Sequence, residues 1–349
     1  MKPFFSIVVP CCDVERYVRE SLDSVLNQGF ADWECVIGVE TSKDRTEEVV
    51  REYAARDGRF KVFTGPRSGS CSASRNTGVD MATGEYVIFL DGDDTIAEGA
   101  LQRLHDRIAG RPGADIYQCA MLAINEMTGE RELRDNFVEG SPEEMTGVRA
   151  TLEIDRLWAG KFCPMLQLSV FRREFLVAHG LKCVYGLRRQ DSEFTPRALY
   201  FAKRVVPLHE PFYVYRRRPN SLTTESSSRI TVDLARQFRS LVDFAAAHDI
   251  PDDIRRIWAN QWLSVLYWFL FHPVTSRKVS AEGRARALAA LFDGEGRALF
   301  RRLVRFASRP KRVASHFVSL AARGWQAPAR LFFGMLYYPL VERRSRNGR

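Results

Sequence analysis

No run of apolar residues in this chain approaches the ~20 needed to cross a bilayer as a helix. The longest, at 262–271 (interrupted by Ser264) and 331–341, fit buried or interfacial helices better. Seven cysteines are scattered without a Cys-x-x-Cys pair or metal-ligand spacing, which argues against a structural zinc site. Cys11 and Cys12 are neighbours and poorly placed for an ordinary disulfide, so free thiols in a reducing cytosol are expected. His209 and His272 have no partner at useful spacing, and internal repeats and low-complexity tracts are missing. Met1-Lys2-Pro3 enters an apolar segment, but Asp13 and Glu15 follow at once, as in a first strand rather than a signal peptide.

What is present is an ordinary globular composition: 349 residues, 45% hydrophobic and 27% charged. That length suits one large domain or two smaller ones. The charge is uneven. Residues 301–349 hold twelve Lys/Arg against one acid, Glu342, so the whole net charge of +9 resides in the tail and residues 1–300 are close to neutral.

The first hundred residues alternate strand and helix. Strands are predicted at 5–9 (ending at Pro10), 33–39, 60–64 and 86–90. Between them, Val18, Leu22, Val25 and Leu26 recur at helical spacing, Thr46 caps a second helix, and a third runs through Arg75-Asn76 to Met81. Strands alternating with helices mean a mostly parallel sheet with crossovers. Further strands are predicted at 116–124, 204–208 and 212–216, a hairpin or loop at 125–140, and helices at 172–178 and 190–202. Beyond Ser228 every segment reads as helix: 229–247, 252–271, 280–291, 294–307, 311–323 and 328–343, with Ser226-Ser227-Ser228 as the linker. The expected division is a catalytic domain over 1–225 and a helical region over 226–349.

The apolar run Tyr86-Val87-Ile88-Phe89-Leu90 delivers three acids in Asp91-Gly92-Asp93-Asp94. In open α/β sheets, ligands bind beyond the carboxyl ends of the strands. Clustered carboxylates there are costly unless a cation collects their charge, and hard oxygen ligands suit Mg²⁺ or Mn²⁺, which suit a phosphate-bearing substrate. The plainer alternative is a solvated turn in which Asp94 or Thr95 starts a helix over 98–108.

In order along the chain stand Ile7-Val8-Val9-Pro10, Ser21-Leu22-Asp23-Ser24-Val25-Leu26-Asn27-Gln28, Ser72-Ala73-Ser74-Arg75-Asn76-Thr77-Gly78, the acidic loop, Gln190-Asp191-Ser192-Glu193-Phe194, and Glu210-Pro211-Phe212-Tyr213-Val214-Tyr215-Arg216-Arg217-Arg218-Pro219-Asn220-Ser221. Over about residues 3–223 this series resembles the family 2 glycosyltransferases of GT-A fold. The resemblance implies an α/β fold of GT-A type, a Rossmann-like, mostly parallel sheet flanked by helices, followed here by an all-helical C-terminal region. It implies transfer of a sugar, with inversion, from a nucleoside diphosphate donor to an acceptor hydroxyl. Matched position by position, Pro10, Glu40, Asp44 and Arg75 face the nucleotide. Asp91 and Asp93 match the metal-holding pair, and Asp91 also borders the donor. Asp191 takes the place of the catalytic base; the plainer reading, a cap for the helix from Ser192, is compatible with that role. Arg216, Arg218 and Ser221 match a segment at the diphosphate, a better use of the Arg216-Arg217-Arg218 run than nucleic acid. The implied donor is a UDP-sugar, and the acceptor a glycan or lipid-linked glycan of cell-surface polysaccharide or lipopolysaccharide.

Three places depart from the pattern: Cys12-Asp13 stands for Tyr-Asn, Val39-Glu40-Thr41-Ser42 for an Asp-Asp-Gly-Ser type loop, and Gln190 for Glu. They touch base recognition and the surroundings of the base. A non-catalytic sugar- or lipid-binding relative is one competing class. A nucleotidyltransferase is another, but it calls for a Gly-rich basic loop where Pro10-Cys11-Cys12-Asp13 stands. The tail interleaves arginines and aromatics, as in Arg305-Phe306, Arg330-Leu331-Phe332-Phe333 and Arg343-Arg344. Such helices either lie on an anionic membrane surface or pack as a bundle, on the catalytic domain or a second copy of the chain. The expected location is cytoplasmic, with a peripheral place on the inner face of the cell membrane as the alternative.

Overall fold

The computed structural model describes residues 2–138, 140–157, 165–218, 228–271, 281–292, 296–323, 329 and 332–338. The chain divides into two compact units: Met1–Trp158 with Phe162–Ser221, and Ala159–Lys161 with Leu222–Arg349.

The first unit opens as β1 (Phe5–Cys11), α1 (Glu15–Leu26), β2 (Trp33–Glu40), α2 (Thr46–Arg56), β3 (Phe60–Gly65), α3 (Ser72–Met81) and β4 (Tyr86–Phe89). It continues with β5 (Thr95–Ile96), α4 (Ala100–Gly110), β6 (Ile116–Asn125), β7 (Arg131–Asp135), α5 (Gly147–Leu157), β8 (Ser169–Arg172), α6 (Arg173–Ala178), α7 (Asp191–Phe201) and β9 (Val205–Arg217). The sheet order is β3-β2-β1-β4-β8-β6-β9-β5, with β7 hydrogen-bonded to β6. From β3 to β4 all neighbours are parallel; β8 then enters antiparallel between β4 and β6.

Residues of β1 and β2 are buried without exception, which is why neither strand shows polar alternation. Glu34, at the second position of β2, is fully satisfied. It accepts from Ser6 Oγ (2.5 Å), Thr83 N (2.6 Å), Thr83 Oγ1 (2.9 Å), Gly84 N (3.1 Å) and Lys61 Nζ. α3 lies tight on β1, because a Cβ on Gly78 would come within 2.4 Å of Val8 Cγ1. That close approach sets Arg75 beside the ends of β1 and β4.

Three expectations are corrected. β1 runs through Pro10 to Cys11. The Val8 carbonyl accepts from Leu90 N, so residue 10 turns its nitrogen to the same side, where β4 has already ended and no ladder bond is lost. The strands expected at 204–208 and 212–216 are one strand, β9, whose register with β6 shifts while His209 adopts φ 54°. And neither Asp94 nor Thr95 starts a helix. Asp94 is 2% exposed, and Thr95–Ile96 pairs with β9, leaving α4 to begin at Ala100.

The second unit contains α8 (Ser228–Ala247), α9 (Asp252–Phe271), α10 (Ala281–Phe292), α11 (Gly296–Phe306), α12 (Arg309–Ala322) and a π-helical turn at Phe333–Tyr337. Its core is aromatic: Phe271 and Phe333 stack at 4.5 Å, and Trp262 Nε1 donates to the Leu234 carbonyl (2.9 Å). No described helix is long and apolar enough to cross a membrane.

Candidate active site

The loop after β4 is pressed against the end of β1. A Cβ on Gly92 would lie 2.9 Å from Cys11 Sγ and 3.2 Å from the Pro10 carbonyl, so glycine separates the acids for want of room. Asp91 gives one oxygen to Arg75 Nη2 (2.5 Å) and the other to Gln167 Nε2 (2.8 Å). Arg75, 3% exposed, also reaches Asp191 Oδ1 with Nη1 (3.5 Å). With its amide nitrogen donating to the Leu187 carbonyl (3.1 Å), Gln190 accepts from Arg75 Nη1 at 2.7 Å. One buried guanidinium thus joins the acidic loop to the start of α7.

Asp191 comes there because α3 also holds the segment that precedes it. Asn76 Nδ2 donates to the Cys183 carbonyl and Cys183 N donates to Asn76 Oδ1, both at 2.8 Å, while Gly186 N donates to Ser72 Oγ (2.8 Å). Arg189, the last residue before Gln190, adopts φ 52°, a conformation costly for a long side chain and held by its surroundings. Burial pushes the Asp191 pKa above the ordinary carboxylate value; Arg75 pulls it back and the charge of Asp91 raises it further.

Asp93 is held differently. Its Oδ2 accepts from Arg218 Nε (2.9 Å) and Nη2 (2.7 Å), and burial, then Asp91, raise its pKa against the pull of Arg218. Arg216 donates from Nε to the Asp93 carbonyl (3.1 Å) and from Nη2 to Glu20 (2.5 Å). Both guanidinium groups lie over the Tyr17 ring, Arg216 at 5.2 Å and Arg218 at 4.9 Å from its centroid. Asp94 fastens the loop to β9, accepting from Tyr213 Oη (2.6 Å) and Arg216 N (2.7 Å). Arg217 turns away to Glu132.

The remaining expected residues lie on the neighbouring loops. Glu40 accepts from Ser68 N (2.9 Å) and Ser68 Oγ (2.6 Å), fixing the loop that enters α3. Asp44 accepts from Glu15 N (2.9 Å), Thr46 N (3.1 Å) and Thr46 Oγ1 (2.6 Å), so its carboxylate is spent on the first turns of α1 and α2. Ser221 lies outside the described residues. Sequence reasoning missed Gln167, Tyr17 and Tyr213. A single amide inside the apolar stretch 163–171 was the available signal for the first; the two tyrosines looked like any half-buried aromatic.

The loop's fit to a divalent cation follows from its donors. Asp91 and Asp94 have both oxygens in hydrogen bonds, and Asp93 leaves only Oδ1 outside its ion pair with Arg218. Among the described residues no cluster of three or more His, Cys, Asp or Glu could hold an ion alone. Such a set fits an ion of the Mg²⁺ kind, which is usually kept by one or two carboxylates together with substrate phosphates and water.

Residues 6–179 match the family described as Glycosyl transferase family 2. The chain belongs to that family. Among family relatives, the uncharacterized glycosyltransferase EpsJ of Bacillus subtilis (strain 168) is 33% identical over 230 residues, covering 64% of this chain and 64% of EpsJ. GgaB of the same organism, a minor teichoic acid biosynthesis protein, is 30% identical over 136 residues, 38% of this chain and 15% of GgaB. The matches therefore span less than two thirds of either relative's length. Residues 1-349 of S. aureus TarS, solved in complex with UDP-GlcNAc, superpose with a TM-score of 0.72 at 20% identity, covering 95% of this chain and 91% of that one. At that identity the likeness is one of fold, and it places the α/β sheet with its flanking helices in the GT-A type, followed by a helical C-terminal region.

Proposed function

We propose that this family 2 protein transfers a sugar from a nucleoside diphosphate donor, uridine-linked, to an acceptor hydroxyl of a cell-surface glycan or its lipid-linked precursor, with inversion at the anomeric carbon. The observation that carries the reading is the shared guanidinium of Arg75, which brings Asp191 to the edge of the acidic loop. Support for the donor comes from TarS, which binds UDP-GlcNAc, and for the acceptor from GgaB, named for teichoic acid biosynthesis.

A sugar hydroxyl is too weak an acid to be ionised beforehand. Asp191 takes its proton while the hydroxyl oxygen bonds to the anomeric carbon and the bond to the diphosphate oxygen breaks. The nucleoside diphosphate leaves with that electron pair, and inversion follows from attack on the face opposite it. A raised Asp191 pKa makes its carboxylate a stronger base. Arg75 holds the carboxylate in place and, being paired with Asp91, keeps it from drifting into the loop. When bound, a divalent cation supplies Lewis-acid stabilisation to the departing diphosphate, and Asp93 is the residue to hold it, with Asp91 lending charge from behind. Arg218, paired with Asp93 in the free protein, would bind the donor phosphates with its guanidinium in two-pronged fashion. The loop of Glu40 and Ser68 borders the base.

Release of UDP from a panel of UDP-sugars, with calorimetry of UDP and Mn²⁺ on wild type and Asp93→Ala, tests this. Metal-dependent UDP binding that Asp93→Ala abolishes is expected. If wild type binds no UDP in the presence of Mn²⁺, the reading fails.

A further inference from the structure

A cavity of about 620 Å³ in the second unit, between α11 and α12, has arginines at its mouth and an apolar wall. α11 contributes Arg301 and Arg305; Arg312, His316 and Arg323 face them from α12 and its end. No carboxylate lines the cavity. Among the described residues none of the four arginines has an acidic partner, and the sequence from 301 onward offers only Glu342. Elsewhere this chain pairs its arginines closely, as at Arg75, Arg172, Arg197 and Arg218. Unpaired like charges converging on a concave surface repel one another, and an anion placed among them removes that cost.

The walls narrow the choice of anion. The hydroxyls of Ser315 and Ser319 also line the cavity, but each donates back to a carbonyl of its own helix, Arg312 and Ser315, while Phe300, Val304 and Leu320 present only hydrocarbon. A phosphate carrying acyl chains satisfies both halves: arginine at the mouth for the phosphate, aliphatic and phenyl surface for the first methylenes. A smaller adjoining cavity shares Arg301 and Arg323 and adds Arg297, and Val313, beside Arg312, is 47% exposed. We propose that this cavity seats the phosphate headgroup of an acidic membrane phospholipid. The inference is independent of the transferase reading.

The test is sedimentation of the full chain with vesicles of phosphatidylglycerol and phosphatidylcholine, or of phosphatidylcholine alone. Binding only to the acidic vesicles, weakened by salt, is expected. The Arg305→Gln/Arg312→Gln double variant should bind them about thirtyfold more weakly, the effect of two arginines at an anionic surface. Arg51→Gln/Arg56→Gln, the same charge loss on α2, should bind as wild type does, and circular dichroism melts should confirm that all three proteins fold. Equal loss in both double variants, or equal binding to neutral vesicles, overturns the proposal. So does binding of inorganic polyphosphate as tight as that of the vesicles and equally lost in Arg305→Gln/Arg312→Gln, because the occupant is then a soluble polyanion.

Discussion

Arg75 Nη1 stands 3.5 Å from Asp191 Oδ1, joining the middle of α3 to the first turn of α7. The same guanidinium is bound to Asp91. Its pKa is raised well above the ordinary arginine value: burial would lower it, but Asp91, Cys71 and Asp191 outweigh that. A cation held this firmly stays charged at every working pH, so the two carboxylates always see it.

Asp191→Asn should therefore lower turnover by about 10²–10⁴-fold while leaving the dissociation constant for UDP near that of wild type. Because the base must be ionised, wild-type activity should rise with pH through a limb above the ordinary aspartate value, since burial raises Asp191. Steady-state rates from pH 4 to 8 check both points. A variant with wild-type turnover would remove Asp191 from the chemistry.

Tyr17 carries Arg216 and Arg218 on its face. Each such contact is worth about 0.5–1 kcal/mol at a partly exposed site. Tyr17→Ala should thus raise the KM for the donor about five- to thirtyfold with a smaller change in kcat, and Tyr17→Phe should restore it, since the ring and not the hydroxyl is used. Equal loss in both variants would mean that packing alone is at stake.

Glu34 makes a pH-dependent contribution to stability. Burial would raise its pKa, but hydrogen bonds from Lys61, Ser6 and Thr83 override that and lower it to about 2. A carboxyl depressed on folding stabilises above its unfolded value, and the benefit is lost as pH falls through the folded one. Wild-type melting temperature should drop between about pH 4.5 and 2, and Glu34→Gln should melt lower at neutral pH with a flatter profile there. A parallel pair of pH profiles in thermal melts would count against the network.

Gly147→Ala tests how α5 sets α7. A Cβ there would lie 1.8 Å from the Leu199 carbonyl oxygen, and backbone cannot yield as a side chain does. Overpacking costs about 1–3 kcal/mol and occasionally more. Chemical denaturation should show that loss, with activity falling beyond it because α7 begins at Asp191. An Ala variant as stable as wild type would contradict the packing.

Much of this protein is legible in residue order alone. The apolar strands at 5–9, 33–39 and 86–90 announce the sheet, since full burial on both faces leaves no room for polar alternation. The acids after Leu90 stand out as a candidate site, because clustered carboxylates at a strand's end are costly without a compensating charge. Five of the expected C-terminal helical segments, 229–247, 252–271, 280–291, 294–307 and 311–323, coincide with α8 to α12 among the described residues. Only tertiary structure decided which carboxylate does what. Asp91, Asp93 and Asp94 stand side by side in sequence, yet they answer to Arg75 and Gln167, to Arg218, and to Tyr213 with Arg216. Hydrogen bonds reach about 3 Å in space and take no account of distance along the chain, so the role of each acid is written in residues that folding brings from elsewhere.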